Sequence, residues 1–155
     1  MTETIDVLLI NPGDHRNVYQ GLADEFAAIE PPVFAGLFAT YLRKKGLTVA
    51  IYDVPATRES AEDAVDAMLS RYVPTLTVVV VYGLQPSAST QNMPSAGKIA
   101  RLIKERSSTQ VMMTGTHPAA LPGQTMAEER IDFVCDREGP VTIEKTVAAL
   151  KAGTT

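Results

Sequence analysis

Small, polar and glycine residues follow four of the apolar runs in this sequence. The clearest case is the segment 114–118, Thr-Gly-Thr-His-Pro, which comes directly after the run 110–113. The segments 11–13, 82–85 and 136–139 are of the same kind. In an open α/β sheet, ligands bind outside the carboxyl ends of the strands, and glycines there let the backbone come close. The four segments therefore predict the floor of a broad, flat ligand site.

Histidine and cysteine are too few for the commonest metal and nucleophile chemistry. His15 and His117 are the only histidines, and Cys135 is the only cysteine. No zinc site of the usual spacing can form, and no disulfide can form within the chain. We expect Cys135 to be a buried, inert thiol and His117 to be a hydrogen-bonding loop residue. Because no nucleophile–base pair stands out, the pattern favours a protein that holds a cofactor.

The end of the first strand lacks the patterns that bind nucleotide phosphates. Neither G-x-G-x-x-G nor G-x-x-x-x-G-K-S/T occurs there, and no flavodoxin-type loop rich in Ser and Thr follows it. A phospho-acceptor signalling domain would need paired acids, an Asp and a Lys at three strand ends. Residues 11–12, 82–83 and 135–136 are instead Asn-Pro, Tyr-Gly and Cys-Asp. Asp53, after the second strand, is then interpreted as an N-cap or a loop acid.

Apolar runs alternate with amphipathic segments, and this alternation predicts the elements that position these residues. Strands are predicted at residues 5–10, 49–52, 76–82, 111–114 and 131–135. Helices are predicted after Pro31-Pro32, after an N-cap at Ser60, around 99–103, over about 118–129 and over 142–151. A long connection is expected over 13–31, and a polar loop over 83–94. This order predicts an α/β fold: a doubly wound five-stranded parallel sheet of flavodoxin-like order 2-1-3-4-5, in three layers αβα.

Composition narrows the class of partner. The 155 residues suit one domain, and the 45 % apolar fraction is ordinary for a soluble globule. The net charge of −4 argues against binding to nucleic acid, which needs clustered Lys and Arg. The longest uncharged stretch, 73–97, contains prolines and many polar residues, so no membrane span is expected. Acidic residues lie close to the amino terminus, at Glu3 and Asp6, and the chain has a single cysteine. Both features favour a cytoplasmic protein without a signal peptide.

Four segments, in this order and spacing, resemble a known family: the cobalamin (B12)-binding domain of the B12-dependent radical SAM enzymes. The segments are 6–12, 30–49, 114–122 and 132–139. The resemblance covers nearly the whole chain. It implies a single cobalamin-binding, Rossmann-like domain over residues 1–155, with the radical SAM domain absent from this chain. It also implies that cobalamin lies on the rim formed by the strand ends.

The resemblance assigns contacts with the cofactor to each of the four segments at the strand ends. The segment 11–12 would lie near the corrin face, and the loop 83–90 would line the lower side of the ring. Residues 115–117 would approach the ring or its nucleotide tail, and 138–139 would close the tail pocket. Glu138 has a second interpretation, since an acid near a helix N-terminus complements the helix dipole. The predicted cofactor-binding residues are Asn11, Pro12, Gly83, Leu84, Gln85, Ser89, Thr90, Thr114, Gly115, Thr116, His117, Glu138 and Gly139.

Two motifs of related B12 enzymes are missing. The Asp-x-His-x-x-Gly motif, whose histidine binds cobalt, does not occur, because Asp14 and His15 are adjacent and Gly21 is distant. Cobalamin is therefore expected base-off, without a histidine ligand. The Cys-x-x-x-Cys-x-x-Cys motif is also missing, so S-adenosylmethionine and the 4Fe-4S cluster are expected in a partner radical SAM domain or subunit. The chain alone is then not catalytic, and its role is to support a reaction such as methyl transfer.

Two other functions remain open at this point. A degenerate domain of the same fold could dock proteins without a cofactor. Whether the slot between 83–90 and 114–118 is open or collapsed would distinguish this function from cobalamin binding. A small-molecule enzyme could instead use the same rim, with His117 or Glu138 in acid–base chemistry. The substrate cannot be read from the residues.

Overall fold

A computed structural model describes residues 2–13, 30–83, 86–137 and 139–154. These residues form strands and helices in alternation. In chain order they are β1 (Glu3–Asn11), α1 (Val33–Lys44), β2 (Val49–Asp53), α2 (Val54–Thr57), α3 (Ala61–Arg71), β3 (Tyr72–Val81), α4 (Pro86–Arg106), β4 (Gln110–Gly115), α5 (Thr116–Ala120), α6 (Pro122–Glu128), β5 (Phe133–Cys135) and α7 (Gly139–Lys151). Most of the predicted connection 13–31 lies outside the described residues.

Within these ranges, five strands form one parallel sheet in the order β2-β1-β3-β4-β5. The predicted flavodoxin-like order is therefore confirmed. The central strand β3 pairs with β1 on one side and with β4 on the other, through register partners such as Leu9 with Val78 and Val79 with Met113. Both faces of these strands are covered, which explains why their sequences are nearly continuous apolar runs.

Alternate side chains of the strands enter two hydrophobic clusters on opposite faces of the sheet. One cluster joins Leu8 and Val79 to residues of α3 and α4, such as Met68 and Ile103. The other joins neighbouring strand residues, such as Val78, to α1 and α7. The period of two along each strand thus divides one apolar run between two helical layers.

The ends of α1 and α3 follow their sequence signals. Ser60 is the N-cap of α3, and its Oγ accepts a hydrogen bond from the backbone N–H of Asp63 at 3.1 Å. The same hydroxyl donates to the Asp63 carboxylate at 2.7 Å. Gly46, after the end of α1, has a φ of +82°, a conformation that favours glycine. The predicted N-cap at Ser60 is therefore confirmed.

The prediction of a polar loop over residues 83–94 is wrong from residue 86 onward. Helix α4 begins at Pro86, where the fixed φ of proline suits the first helical turn. Pro94 lies inside the helix and lacks the N–H that would bond to the carbonyl of Thr90. The helix continues because Ile99 and Ala100 beyond it are fully buried against the sheet. Ser89 and Thr90 therefore stand on the first turns of a helix instead of in a loop.

Other elements also differ from the prediction. Strand β3 begins at Tyr72, four residues early, and includes Pro74, which lies beyond the paired part of β4. The single helix predicted over 118–129 is two short helices, because the residue before Pro122 is disfavoured in a helical conformation. Strand β5 starts at Phe133, and α7 starts at Gly139.

No helix in the described part of the chain is long and apolar enough to cross a membrane.

Candidate functional site

The parallel sheet brings the predicted site residues to one edge. The strands β1, β2, β3 and β4 all end there, and α1, α4 and α7 begin there. The predicted residues placed at this edge are Asn11, Pro12, Gly83, Ser89, Thr90, Thr114, Gly115, Thr116, His117 and Gly139. Leu84, Gln85 and Glu138 lie outside the described residues. We call this edge the strand-end rim.

At one side of the rim, the side chains of Asn11 and Asp53 join β1 to β2. Asn11 and Asp53 are the last register partners of the two strands. The Nδ2 of Asn11 donates a hydrogen bond to Oδ1 of Asp53 at 2.8 Å. Asp53 stands at the N-cap position of α2, but its side chain makes no hydrogen bond to the helix. Its carboxylate instead accepts the hydrogen bond from Asn11.

The neighbouring Tyr52 anchors the end of β2. Its hydroxyl donates to the carboxylate of Glu59 at 2.5 Å. Burial, together with this hydrogen bond, raises the pKa of Tyr52 to about 12. The phenol therefore stays protonated at neutral pH and holds the segment after β2 in place.

In the middle of the rim, Gly115 lets β4 end directly against β3. A Cβ at this position would collide with the carbonyl oxygen of Val81. The hydroxyl of Ser89 donates to that same carbonyl at 2.5 Å and accepts the backbone N–H of His117 at 2.9 Å. Ser89 is fully buried, so its hydrogen bonds connect α4, β3 and the start of α5.

His117 is held by a second contact with α4. The hydroxyl of Thr90 is hydrogen-bonded to Nδ1 of His117 at 3.0 Å. A Cβ at Gly83 would collide with the side chain of Ala88, so the segment that follows β3 also packs on the first turn of this helix. The segments 83–90 and 114–118 are thus in direct contact through their described residues.

On the opposite face of the sheet, the rim carries aromatic side chains. Phe34 of α1 stacks on Tyr82 with ring centroids 4.3 Å apart and an angle of 17° between planes. Phe38, one turn later, meets the same ring edge-on at 5.9 Å. We call Phe34, Phe38 and Tyr82 the aromatic cluster.

Thr114 and Gly139 complete this side of the rim. A Cβ at Gly139 would lie 2.6 Å from Cζ of Phe38 and 3.2 Å from Oγ1 of Thr114. Thr114 is fully buried, and its hydroxyl has no hydrogen-bond partner in the described part of the chain. A buried hydroxyl without a partner costs about 1–3 kcal/mol, so a ligand group that bonds to it would recover this energy.

The family model for the B12 binding domain matches residues 19–147. This chain belongs to the B12-binding domain family. The match covers most of the chain and includes the strand-end rim from Asp53 to Gly139. None of the curated proteins matches the chain.

Two solved structures of the radical S-adenosylmethionine methyltransferase TsrM from Kitasatospora setae are similar to this B12-binding domain. The structure with cobalamin and a 4Fe-4S cluster bound has a TM-score of 0.70 and 16 % identity, over 100 % of this chain and 27 % of that chain. The structure with tryptophan substrate and a SAM analogue bound has a TM-score of 0.68 and 17 % identity, over 96 % and 26 %. The chain spans about a quarter of the length of these structures. At these identities the likeness concerns the fold.

Some features of this B12-binding domain could not be read from its sequence. The contacts of Phe34 and Phe38 with Tyr82 are one example, because a spacing of four on a helix does not reveal which residue of the sheet lies against it. The hydrogen bonds that Ser89 makes to Val81 and His117 were also not predicted. Cys135 is buried, as expected, and its thiol contacts the carbonyl of Arg137 at 3.4 Å. Among the described residues, no group of three His, Cys, Asp or Glu side chains could hold a metal ion.

Proposed function

We propose that this chain is a cobalamin-binding module that supports a B12-dependent radical SAM reaction such as methyl transfer. The family match over residues 19–147 carries the proposal. The TsrM structure with cobalamin bound supports it, because the two folds are similar, with a TM-score of 0.70. The radical SAM assignment rests on the sequence resemblance and on this distant similarity.

The residues at the rim suit an amide-rich ring with an aromatic nucleotide tail. Thr114 offers a buried hydroxyl with no described partner, and Gly139 leaves its side of the rim without a side chain. The aromatic cluster lies on this side of the rim, where Phe34 and Tyr82 are half-buried, and aromatic rings of this kind suit a planar base. In this proposal, Asn11, Pro12 and Gly115 face the ring, whereas Thr114 and Gly139 line the tail.

When bound, cobalamin supplies cobalt-centred methyl-transfer or redox chemistry. The residues of this chain bind and orient the cofactor and exclude water from its lower face, and none of them is proposed as an acid, a base or a nucleophile. S-adenosylmethionine and the 4Fe-4S cluster belong to a radical SAM partner domain or subunit, because Cys135 alone cannot hold a cluster. The choice of substrate is assigned to that partner.

We further propose that cobalamin binds base-off and without a histidine ligand. Among the described residues, the one histidine is His117, which follows β4 and is tied to Thr90 through Nδ1. In B12 domains with a histidine ligand, that histidine follows the first strand. His15 comes after β1 in this sequence, but it directly follows Asp14, and Gly21 lies six residues later, so the Asp-x-His-x-x-Gly spacing of those domains is missing.

The decisive experiment is an anaerobic titration with hydroxocobalamin and methylcobalamin, followed by desalting and a visible spectrum. We expect near-stoichiometric retention of colour with a base-off spectrum. The cobalt(II) form should show no nitrogen splitting in its EPR spectrum. Nitrogen splitting would contradict the base-off, histidine-free assignment. A colourless protein, both alone and with a radical SAM partner added, would contradict cobalamin binding itself.

A second candidate is a domain of this family that docks proteins without a cofactor. The direct hydrogen bonds between His117 and the hydroxyls of Ser89 and Thr90 favour it, because they close the space between α4 and the end of β4. The same titration separates the two candidates. A docking module would stay colourless yet still bind its partner.

A further inference from the structure

The Asn11–Asp53 pair at the rim has a chemical consequence beyond joining two strands. Both side chains are half-buried, so each keeps a surface that a ligand can reach. The pair stands at the last register position of β1 and β2, where the backbone ladder between these strands ends. The ladder holds the two strands together over four residue pairs before it. The contact is therefore not needed for strand pairing alone, and the pair can also bind a ligand.

The chemistry of the two groups fixes the orientation of Asn11. A carboxylate only accepts hydrogen bonds, whereas a carboxamide has a donor end and an acceptor end. Only the NH₂ end of Asn11 can therefore face Oδ1 of Asp53, at 2.8 Å. The carbonyl oxygen of Asn11 is then directed away from Asp53. In the described ranges, no other protein group is hydrogen-bonded to either side chain.

We infer that the Asn11–Asp53 pair selects amide N–H donors on the ligand, with Asp53 as the positioning residue for the carbonyl of Asn11. The pair presents two acceptors, Oδ1 of Asn11 and the second oxygen of Asp53. A neutral carboxamide can donate to both, whereas a carboxylate has no N–H to donate and meets a like charge. The inference rests on the proposed function, because the corrin ring of cobalamin carries carboxamide side chains around its edge.

The test compares cobalamin with derivatives in which one peripheral amide has been hydrolysed to a carboxylate. For the wild-type protein, cobalamin should bind about tenfold more tightly than the derivative whose carboxylate meets the pair, as expected for one hydrogen bond to a charged group. In Asp53→Asn, the amide of Asn11 can turn either way, so this ratio should fall to within about threefold. A ratio of two affinities on one protein does not respond to a purely structural loss of stability.

Glu105→Gln is the matched control. It makes the same change from carboxylate to carboxamide at an exposed position of the last turn of α4, far from the strand-end rim. It should keep the wild-type ratio. If Asp53→Asn does not fold, Asn11→Ala removes one of the two acceptors and should lower the ratio, while the charge of Asp53 preserves part of the discrimination. Circular dichroism checks the fold of each variant.

The outcomes separate this inference from the proposed function. If the wild-type protein retains cobalamin but no derivative shows a preference that Asp53→Asn removes or Asn11→Ala lowers, the amide-selecting role of the pair is wrong and cobalamin binding stands. If the wild-type protein retains neither cobalamin nor any derivative, the proposed function fails, and the inference fails with it.

Discussion

Among single residues, Thr114 connects stability to ligand binding most directly. Its buried hydroxyl has no partner in the described part of the chain and lies beside Gly139 at the rim. We expect Thr114→Val to raise the free energy of unfolding by about 1 kcal/mol, because valine has the same shape without the unpaired hydroxyl. The same variant should weaken cobalamin binding by about tenfold, through the loss of one hydrogen bond. Urea unfolding and cobalamin titration measure the two effects.

Thr77→Val provides an internal control for this prediction. Thr77 is also buried with an unpartnered hydroxyl among the described residues, but it lies within β3, opposite Leu8 and Val111. It should gain similar stability and leave the affinity for cobalamin unchanged. Equal affinities for the two variants would show that the hydroxyl of Thr114 does not contact the cofactor.

At the scale of a single element, the N-cap of α3 can be tested, because the sequence predicted it at Ser60. Ser60→Ala removes the hydrogen bond from the N–H of Asp63 to Ser60 Oγ. We expect a loss of about 1 kcal/mol in the free energy of unfolding, measured by chemical denaturation. Ser70→Ala is the control on the same helix, because the exposed hydroxyl of Ser70 contacts only the carbonyl of Ala67. The cap assignment is wrong if both variants lose equally little.

The elements also show why most of the sheet could be predicted. A run such as Val78–Val81 has one good interpretation, a strand covered on both faces, and its alternation with helices forces parallel order. The start of α4 was not predicted, because Pro94 and the polar residues around it are local signals for a loop. The buried contacts of Ile99 and Ala100 override those signals, and these contacts exist only in the folded sheet.

The candidate site could be predicted to the same extent as the sheet. Parallel strands end at one edge, so residues such as Asn11 and Gly115 could be assigned to one rim from the sequence. Their partners could not be assigned, because the pairing of Asn11 with Asp53 depends on strand register. The contact of Phe34 with Tyr82 depends on how α1 crosses the sheet. Such contacts between distant segments leave no local periodicity in the sequence.

For the whole molecule, the single sheet separates two hydrophobic clusters that support one rim. Ile103 of α4 is buried in one cluster, and Ile143 of α7 is buried in the other. The rim depends on both layers, since Ser89 is supplied by α4 and Gly139 begins α7. Among the described residues the two clusters have no member in common, so packing defects on opposite faces share no side-chain partner.

This separation predicts additive effects of small packing defects across the sheet. Ile103→Val and Ile143→Val should each lower the free energy of unfolding by about 1 kcal/mol, the usual cost of deleting one buried methylene. The double variant should lose the sum to within about 0.5 kcal/mol, as measured by urea unfolding of all four proteins. Because cobalamin binds only the native state, saturating cofactor should add the same stabilisation to each protein whose affinity is unchanged. A coupling clearly larger than this limit would show that the sheet transmits strain between its faces, and the rim would then respond to defects in either layer.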